Sequence, residues 1–447
     1  MRGSVLKVRA PALDAGEVLR RVARGDRPFL LDGAGDGDGL GRFSFAGCDP
    51  DDGLIWRRGD AGDPFALLAD AQRRWTVGPV DEHWPVAVGY VTYDAAADAL
   101  AREHGRALHA TDDLGLPGVD FARYRAVWRF DRATGAAEVL AHDGASAERL
   151  LGRLAQGPVP LHPANAGELR PQWTRAEYEA RVLRVLEHLR AGDAYQVNLA
   201  QRLVARCDEA GALALYLQLR RTAPAPLGAY LATDAGTILS NSPERLLRVA
   251  TERRAGAYAV RAEARPIKGT RPRGDGVEDA RLAAELEGSE KDAAELLMIV
   301  DLLRNDLGRV GAIGSVRVDG PRLVSLPTVH HRVSTVEAEV SASSTAAVLA
   351  AVLPGGSVTG APKMRAVEII DALEGRARGV YCGALGWIGA GRALDLALPI
   401  RTALVRRGEL LLPVGGGIVM DSTPAGEWDE TLVKARAFAS ALAELAR

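Results

Sequence analysis

At 447 residues, 47% apolar and 26% charged, the chain has ordinary globular composition and enough length to bury one large core, or two in contact. Its 58 acids nearly balance its 56 bases, which gives no reason to expect a nucleic-acid or membrane partner. Cys48, Cys207 and Cys382 are too scattered for a metal knuckle or a disulfide framework, and neither a signal-peptide core nor a bilayer-length apolar run occurs, so a cytoplasmic protein is expected.

In chain order, residues 1–156 form a mixed N-terminal region with strand-like runs at Pro28–Leu31 and Val86–Val91 and a glycine-rich turn over 33–41. Within that turn, Asp36-Gly37-Asp38-Gly39 lacks the closing glutamate of a calcium loop and reads as a plain turn. The proline- and glycine-rich segment 157–171 is the linker candidate, leaving 172–447 as the second unit. A helix opens at Thr174 with Glu177 at capping-box spacing, and Leu183, Val185, Leu186 and Leu189 mark its apolar side. A strand is predicted over Tyr195–Leu203, a helix over Asp279–Leu307, and strand-like runs over Ala229–Leu239, Val380–Ile388, Leu394–Val405 and Leu410–Leu412. The last helix, Ala425–Leu445, carries Trp428, Leu432, Ala435, Ala439 and Leu442 as its expected buried stripe. Strand runs interspersed with long helices, without a repeat, predict an α+β architecture.

The chain has 51 arginines but five lysines, Lys7, Lys268, Lys291, Lys363 and Lys434. Lysine kept where arginine is the default points to chemistry arginine cannot do, since only lysine loses its proton to become a nucleophile; codon bias is the bland alternative. On the last helix, Glu427, Glu430 and Lys434 share one face, and Asp292 and Glu295 repeat the i, i+3 spacing on the helix before. Facing each other, the two helices would offer four carboxylates to a hard cation such as Mg²⁺; otherwise they are solvated faces with ordinary ion pairs. The glycines of Pro413–Ile418 allow close backbone approach to an anion, or make a tight turn. The stretch Gly355–Lys363 fails as a nucleotide P-loop because Ala361-Pro362 interrupts it and no Ser or Thr follows the lysine. Lys268, between Pro266 and Gly274, sits in a short loop where it is either a surface residue or a nucleophile.

Taken together, Ser242-Pro243-Glu244-Arg245, PIKGTRPRG (266–274), ELLMIVDLLRNDLGR (295–309), GGSVTGAPKMRAVEIID (355–371) and GGGIVMDSTPAGEWDETLVKARA (415–437) resemble the chorismate-utilising enzymes, strongly over about 174–440. That family comprises anthranilate synthase component I, aminodeoxychorismate synthase component I, and the isochorismate and salicylate synthases. The resemblance implies a two-lobed sandwich of large antiparallel sheets flanked by helices. It implies Glu295 and Glu430 as direct Mg²⁺ ligands, with Asp292 (where relatives often have glutamate) and Glu427 nearby or acting through water. Arg401 and Lys434 would pair with substrate carboxylates, helped by the N–H groups of Gly416 and Gly417, while Tyr381, Thr270 and His331 would line the pocket. Glu244 would be the general acid for the departing C4 hydroxyl.

Two positions separate branches of the family. Anthranilate synthases usually carry alanine where Lys268 stands, whereas PIKGT resembles aminodeoxychorismate synthases, in which the lysine is thought to attack C2 before ammonia enters at C4. Gln196 stands where the water-adding enzymes carry a lysine base, which supports amination, and QVNL is similar to the aminodeoxychorismate branch. Leu30-Leu31-Asp32-Gly33 departs from the Leu-Leu-Glu-Ser segment tied to tryptophan feedback. No glutaminase signature occurs, so ammonia is expected from a separate glutamine amidotransferase subunit, and the end at Arg447 argues against a fused lyase domain. The expected product, 4-amino-4-deoxychorismate, is the precursor of p-aminobenzoate for folate; anthranilate synthase component I and a catalytically dead chorismate-binding subunit are the rivals.

Overall fold

The computed structural model describes residues 5–34, 39–76, 83–162, 166–254, 257–325, 329–340 and 344–446. The expected turn at Asp36–Asp38 lies outside them. Two large antiparallel sheets dominate. One has 12 strands, running from Leu6–Arg9 at one edge through Phe29–Asp32, Leu227–Thr233, Gly236–Ser242, Thr402–Arg406 and Glu409–Ile418 to Gln196–Arg206 and Gly360–Ala361. The other has 10, running from Ile267–Pro272 through Val329–Glu339, Ala257–Arg265, Arg245–Arg254, Leu394–Ala397 and Ala384–Gly389 to Pro85–Val91 and Asp52–Trp56. Strands from both sides of the 157–171 segment are hydrogen-bonded into each sheet, and Arg170–Pro171 itself pairs with Leu203–Val204.

Alternation of side chains explains why the 12-stranded sheet is apolar on both faces. Phe29, Leu231 and Ile238 point into a core shared with Val88, Phe121 and Leu247 of the other sheet. Their neighbours Leu30, Tyr230 and Leu239 point the other way, onto Leu19, Leu150, Leu215 and Phe438 of four covering helices. The result is an α+β sandwich of two sheets with helices outside.

Several local expectations are corrected. The helix expected over 279–307 is two helices, Val277–Gly288 and Glu290–Gly308. Ser289 ends the first and caps the second, its Oγ accepting the Asp292 N–H at 3.2 Å. The run Ala229–Leu239 is a hairpin turning at 234–235, and Leu394–Val405 is two strands in different sheets, broken where Arg401 takes φ +50°. In Val380–Ile388 only Ala384 onward is strand. On the helix after Thr174, whose capping box is present, Leu183 is exposed; Tyr178 and Val182 take the inner face instead. On the last helix Leu432 and Ala439 are exposed, and the buried stripe runs through Trp428, Thr431, Ala435, Phe438 and Leu442. Trp428, Ala435 and Leu442 are buried as expected, while at the other two positions the preceding residue, Thr431 or Phe438, lies inward, Thr431 satisfied by Gln201 Nε2 at 2.7 Å. No helix among the described residues is long and apolar enough to cross a membrane.

Candidate active site

Both acid pairs sit near the starts of capped helices, Glu427 and Asp292 in the first turn and Glu430 and Glu295 in the second. Thr423 Oγ1 accepts the Gly426 N–H and Pro424 occupies the first helical turn, so Glu427 and Glu430 begin Pro424–Leu445 as Asp292 and Glu295 begin Glu290–Gly308. The helix dipole favours the first-turn carboxylates Glu427 and Asp292.

Lys268 links the two helices. It lies on the strand Ile267–Pro272, whose pairing with Val329–Glu339 is irregular at Gly269. Gly269 has φ +80°, and a side chain there would collide with Leu286 Cδ1 at 2.5 Å and Asp292 Cγ at 2.8 Å, so only glycine lets the strand lie against the acid-bearing helix. Lys268 Nζ is 3.3 Å from Glu295 Oε2, and its charge is felt by Glu430 and Glu244. Lys434 Nζ reaches Glu430 Oε1 and the Gly415 carbonyl, both at 2.6 Å. Gly416 leaves room for this group: an added Cβ would lie 2.8 Å from Glu427 Oε2 and 3.4 Å from Glu430 Oε1. Lys291, 4.0 Å from Glu295, and Arg271, 3.4 Å from Asp292, complete a ring of cations around the acids.

The acids respond to this setting. Burial, reinforced by the charge of Glu430, raises the pKa of Glu427, against the opposing hydrogen bond from Ser422. For Glu430 partial burial acts upward but is outweighed by Lys434, Lys268 and Lys291, which hold its pKa below the usual value. Among the described residues no three His, Cys, Asp or Glu side chains are close enough to share one ion, and Lys268 and Lys434 are paired with Glu295 and Glu430. The donor chemistry nonetheless fits a hard divalent cation: all-oxygen ligands on two facing helix ends, with two like charges, Glu427 and Glu430, close enough to perturb each other.

The remaining predicted residues form a drier wall. Glu244 is buried, which pushes its pKa up to about 7 against the pull of Lys268 and a 3.2 Å hydrogen bond donated by Ser357 Oγ. His331 shares a 2.9 Å hydrogen bond with Thr270 Oγ1 through Nδ1, while its Nε2 is buried without a partner. Burial, with the nearby Arg401 charge, lowers the His331 pKa to about 4, so the ring is neutral at pH 7. Arg401 has no carboxylate partner among the described residues, and loss of water lowers its pKa. Gln196 is fully buried with neither amide atom hydrogen-bonded, beside Gly417, where a Cβ would meet its Nε2 at 2.8 Å. Tyr381 is buried behind this wall, 5.9 Å from the Arg378 guanidinium.

Thus Lys268, Glu295, Glu430, Glu427, Lys434 and Gly416 converge, Asp292 and Glu244 adjoin them, Thr270 and His331 lie on the strand pair that carries Lys268, and Arg401, between strands of the two sheets, is close enough for its charge to act on His331. Tyr381 is connected to the rest through Arg378. Sequence reasoning missed Ser357, although it lies inside the quoted 355–371 motif, and it missed Arg378 altogether.

An ammonium–carboxylate cluster beside unpaired buried donors has the chemistry to bind a small carboxylate-bearing substrate. The chain belongs to the chorismate binding enzyme family, whose pattern matches residues 42–440. Anthranilate synthase component 1 of Thermus thermophilus is 42% identical over 368 residues, 79% of this chain and 77% of its own. Aminodeoxychorismate synthase component 1 of Klebsiella aerogenes is 39% identical over 385 residues, 84% and 82% of the two chains. Among solved structures, anthranilate synthase component I from Streptococcus pneumoniae superposes with a TM-score of 0.75 at 28% identity, covering 89% of this chain and 92% of its own. The menaquinone-specific isochorismate synthase of Escherichia coli, at TM-score 0.75 and 18% identity over 98% and 94% of the two chains, shares the fold. The protein is therefore a chorismate-utilising enzyme.

Proposed function

We propose that the protein is the large subunit of an aminodeoxychorismate synthase, converting chorismate and ammonia to 4-amino-4-deoxychorismate and water, a transaminase-type synthase that feeds p-aminobenzoate and folate synthesis. The observation that carries this reading is the amine of Lys268, 3.3 Å from Glu295 and within the electrostatic reach of Glu244 and Glu430. An amine so placed can attack the substrate ring, a role open to lysine and closed to the alanine of the anthranilate branch.

In this mechanism Arg401 and Lys434 hold the substrate carboxylates, with the Gly416 and Gly417 N–H groups assisting. Mg²⁺, held by Glu295 and Glu430 with Asp292 and Glu427 adjacent, would neutralise the ring carboxylate when bound. Lys268 must lose a proton before it attacks. Glu244, with its pKa raised to about 7, can take that proton and pass it to the C4 oxygen, which leaves as water. The Lys268 nitrogen bonds to C2 as both ring double bonds shift and the C4–O bond breaks. Ammonia then bonds to C4, both double bonds shift back, the C2–N bond breaks, and the proton shed by the new ammonium returns to Lys268. Gln196 has no basic group with which to activate water, so ammonia is the nucleophile that meets no competitor. A separate glutamine amidotransferase subunit supplies it.

The test is product identity with chorismate, Mg²⁺ and ammonium salts. Accumulation of 4-amino-4-deoxychorismate without pyruvate supports the proposal. Fluorescent ortho-aminobenzoate with released pyruvate would instead make the protein an anthranilate synthase component I, the reading favoured by its similarity to the Thermus thermophilus protein. Chorismate binding without turnover would mark a regulatory subunit.

A further inference from the structure

Behind the reacting groups lies a buried ion pair that touches none of them. Arg378 and Glu374 have side chains 3% and 8% exposed. The guanidinium forks onto the carboxylate, Nη2 to Oε1 at 2.6 Å and Nε to Oε2 at 2.9 Å. Its other donors reach two further segments: Nη1 to the Val358 carbonyl at 2.9 Å and Nη2 to the Asn198 carbonyl at 3.0 Å. Glu374 Oε1 accepts the Ala200 N–H at 2.8 Å. The guanidinium carbon stands 4.6 Å from the Tyr93 ring and 5.9 Å from the Tyr381 ring.

Each of these tethers ends next to a site residue. Val358 follows Ser357, the hydroxyl that donates to Glu244. Asn198 is the strand partner of Gly417 and lies two residues from Gln196. Tyr381 is a residue that the family resemblance assigns to the pocket. A buried ion pair is a poor way to stabilise a core, since apolar residues of equal volume often do as well or better. A planar fork that binds three chain segments and a ring at once is, however, a good way to fix their relative positions.

We propose that Arg378, locked by Glu374, is a positioning residue that sets the Ser357–Glu244 contact, the Gln196–Gly417 strand end and Tyr381 relative to the substrate. The inference rests on the chorismate chemistry proposed above but not on which carbon is aminated.

The test therefore follows chorismate consumption with Mg²⁺ and ammonium, whatever the product. A wild-type enzyme that forms ortho-aminobenzoate would overturn the functional proposal and leave this one intact. Arg378→Lys keeps the charge but loses the fork. Judged folded by circular dichroism and thermal melting, it is expected to lower kcat by about ten- to a hundredfold, the scale of small misplacement at a reacting centre, with KM for chorismate little changed. If that variant does not fold, the double variant Glu374→Gln/Arg378→Gln, which removes both charges together, is expected to show the same split. Unchanged kcat per folded molecule overturns the proposal, as does a rise in KM alone. Failure of both variants to fold assigns the pair to stability and also overturns it.

Discussion

The two halves of the site solve the problem of holding an anionic substrate in opposite ways. In the acid cluster most charges already have an opposite: Lys268 on Glu295, Lys434 on Glu430, Arg271 on Asp292. Along the inner wall the polar groups stand alone: Arg401 has no carboxylate among the described residues, and Gln196 and His331 Nε2 have no hydrogen bonds. Leaving such groups unmet costs on the order of 1–3 kcal/mol each, a cost that a bound ligand can relieve. On the proposed reading, the wall is preformed for substrate, whereas the cluster must exchange partners. Substitutions in the cluster should accordingly act on chemistry and cation binding, and substitutions in the wall on substrate binding.

The sharpest test of the cluster is Lys268→Ala. If the amine is the nucleophile, 4-amination falls by about 10⁶-fold, the scale of nucleophile loss elsewhere, and any residual product is aminated at C2. Undiminished 4-amination, read by chromatography of the products, would remove the covalent role and leave Lys268 as a counter-ion.

Glu244 comes next because it stands between the halves, buried like the wall yet responsive to Lys268. Glu244→Gln should lower kcat by about 10²–10³-fold. The pH profile gives the sign. Glu244 must be ionised to take the Lys268 proton before handing it to the leaving oxygen, so wild-type kcat should fall as pH drops through about 7, the value to which burial lifts this carboxyl. The variant should show no limb there. A wild-type limb near the ordinary carboxylate range would place the titrating group elsewhere.

In the wall, Arg401→Met should separate function from stability. Loss of a charged hydrogen-bond donor to a substrate carboxylate should raise KM for chorismate about 10- to 100-fold. The free protein should melt slightly higher, because a partly buried cation without a carboxylate partner is replaced by an apolar chain of similar length. A lower melting temperature with unchanged KM would make Arg401 a structural residue whose left-handed backbone at φ +50° serves only the crossing between sheets.

The same contrast explains what the sequence made legible. The cluster rests on local patterns, namely i, i+3 acids, helix caps and a glycine beside a lysine, and these are visible in a linear reading. The break at Ser289 was also local, with Gly288 before it and Asp292 three residues on, but continuous helical periodicity across 279–307 outweighed that cap signal. The wall depends on long-range pairing. Nothing near Arg401 announces that residues 394–397 and 402–406 enter different sheets, and Arg378 is one arginine among 51. Burial of Thr431 in place of Leu432 is set by Gln201, 230 positions away in the chain, which hydrophobic periodicity does not see.

The smallest expected effect concerns Lys291, the most exposed of the cations around the acids. Its ammonium lies 4.0 Å from Glu295, one helical turn on, and its charge reaches Glu427 and Glu430. Exposed i, i+4 pairs contribute only about 0.3–0.5 kcal/mol, so removing this charge should alter stability little. It should act on cation binding, because a divalent ion entering between Glu295 and Glu430 is repelled by every ammonium left nearby. Lys291→Gln should therefore tighten Mn²⁺ binding about twofold in a titration followed by electron paramagnetic resonance, with the gain shrinking as salt is raised. Lys268→Gln, which removes the ammonium in closer contact with Glu295, should tighten it more. If both substitutions weaken the cation instead, the lysines hold the carboxylates in place for the ion and do not compete with it, and the cluster is as preformed as the wall.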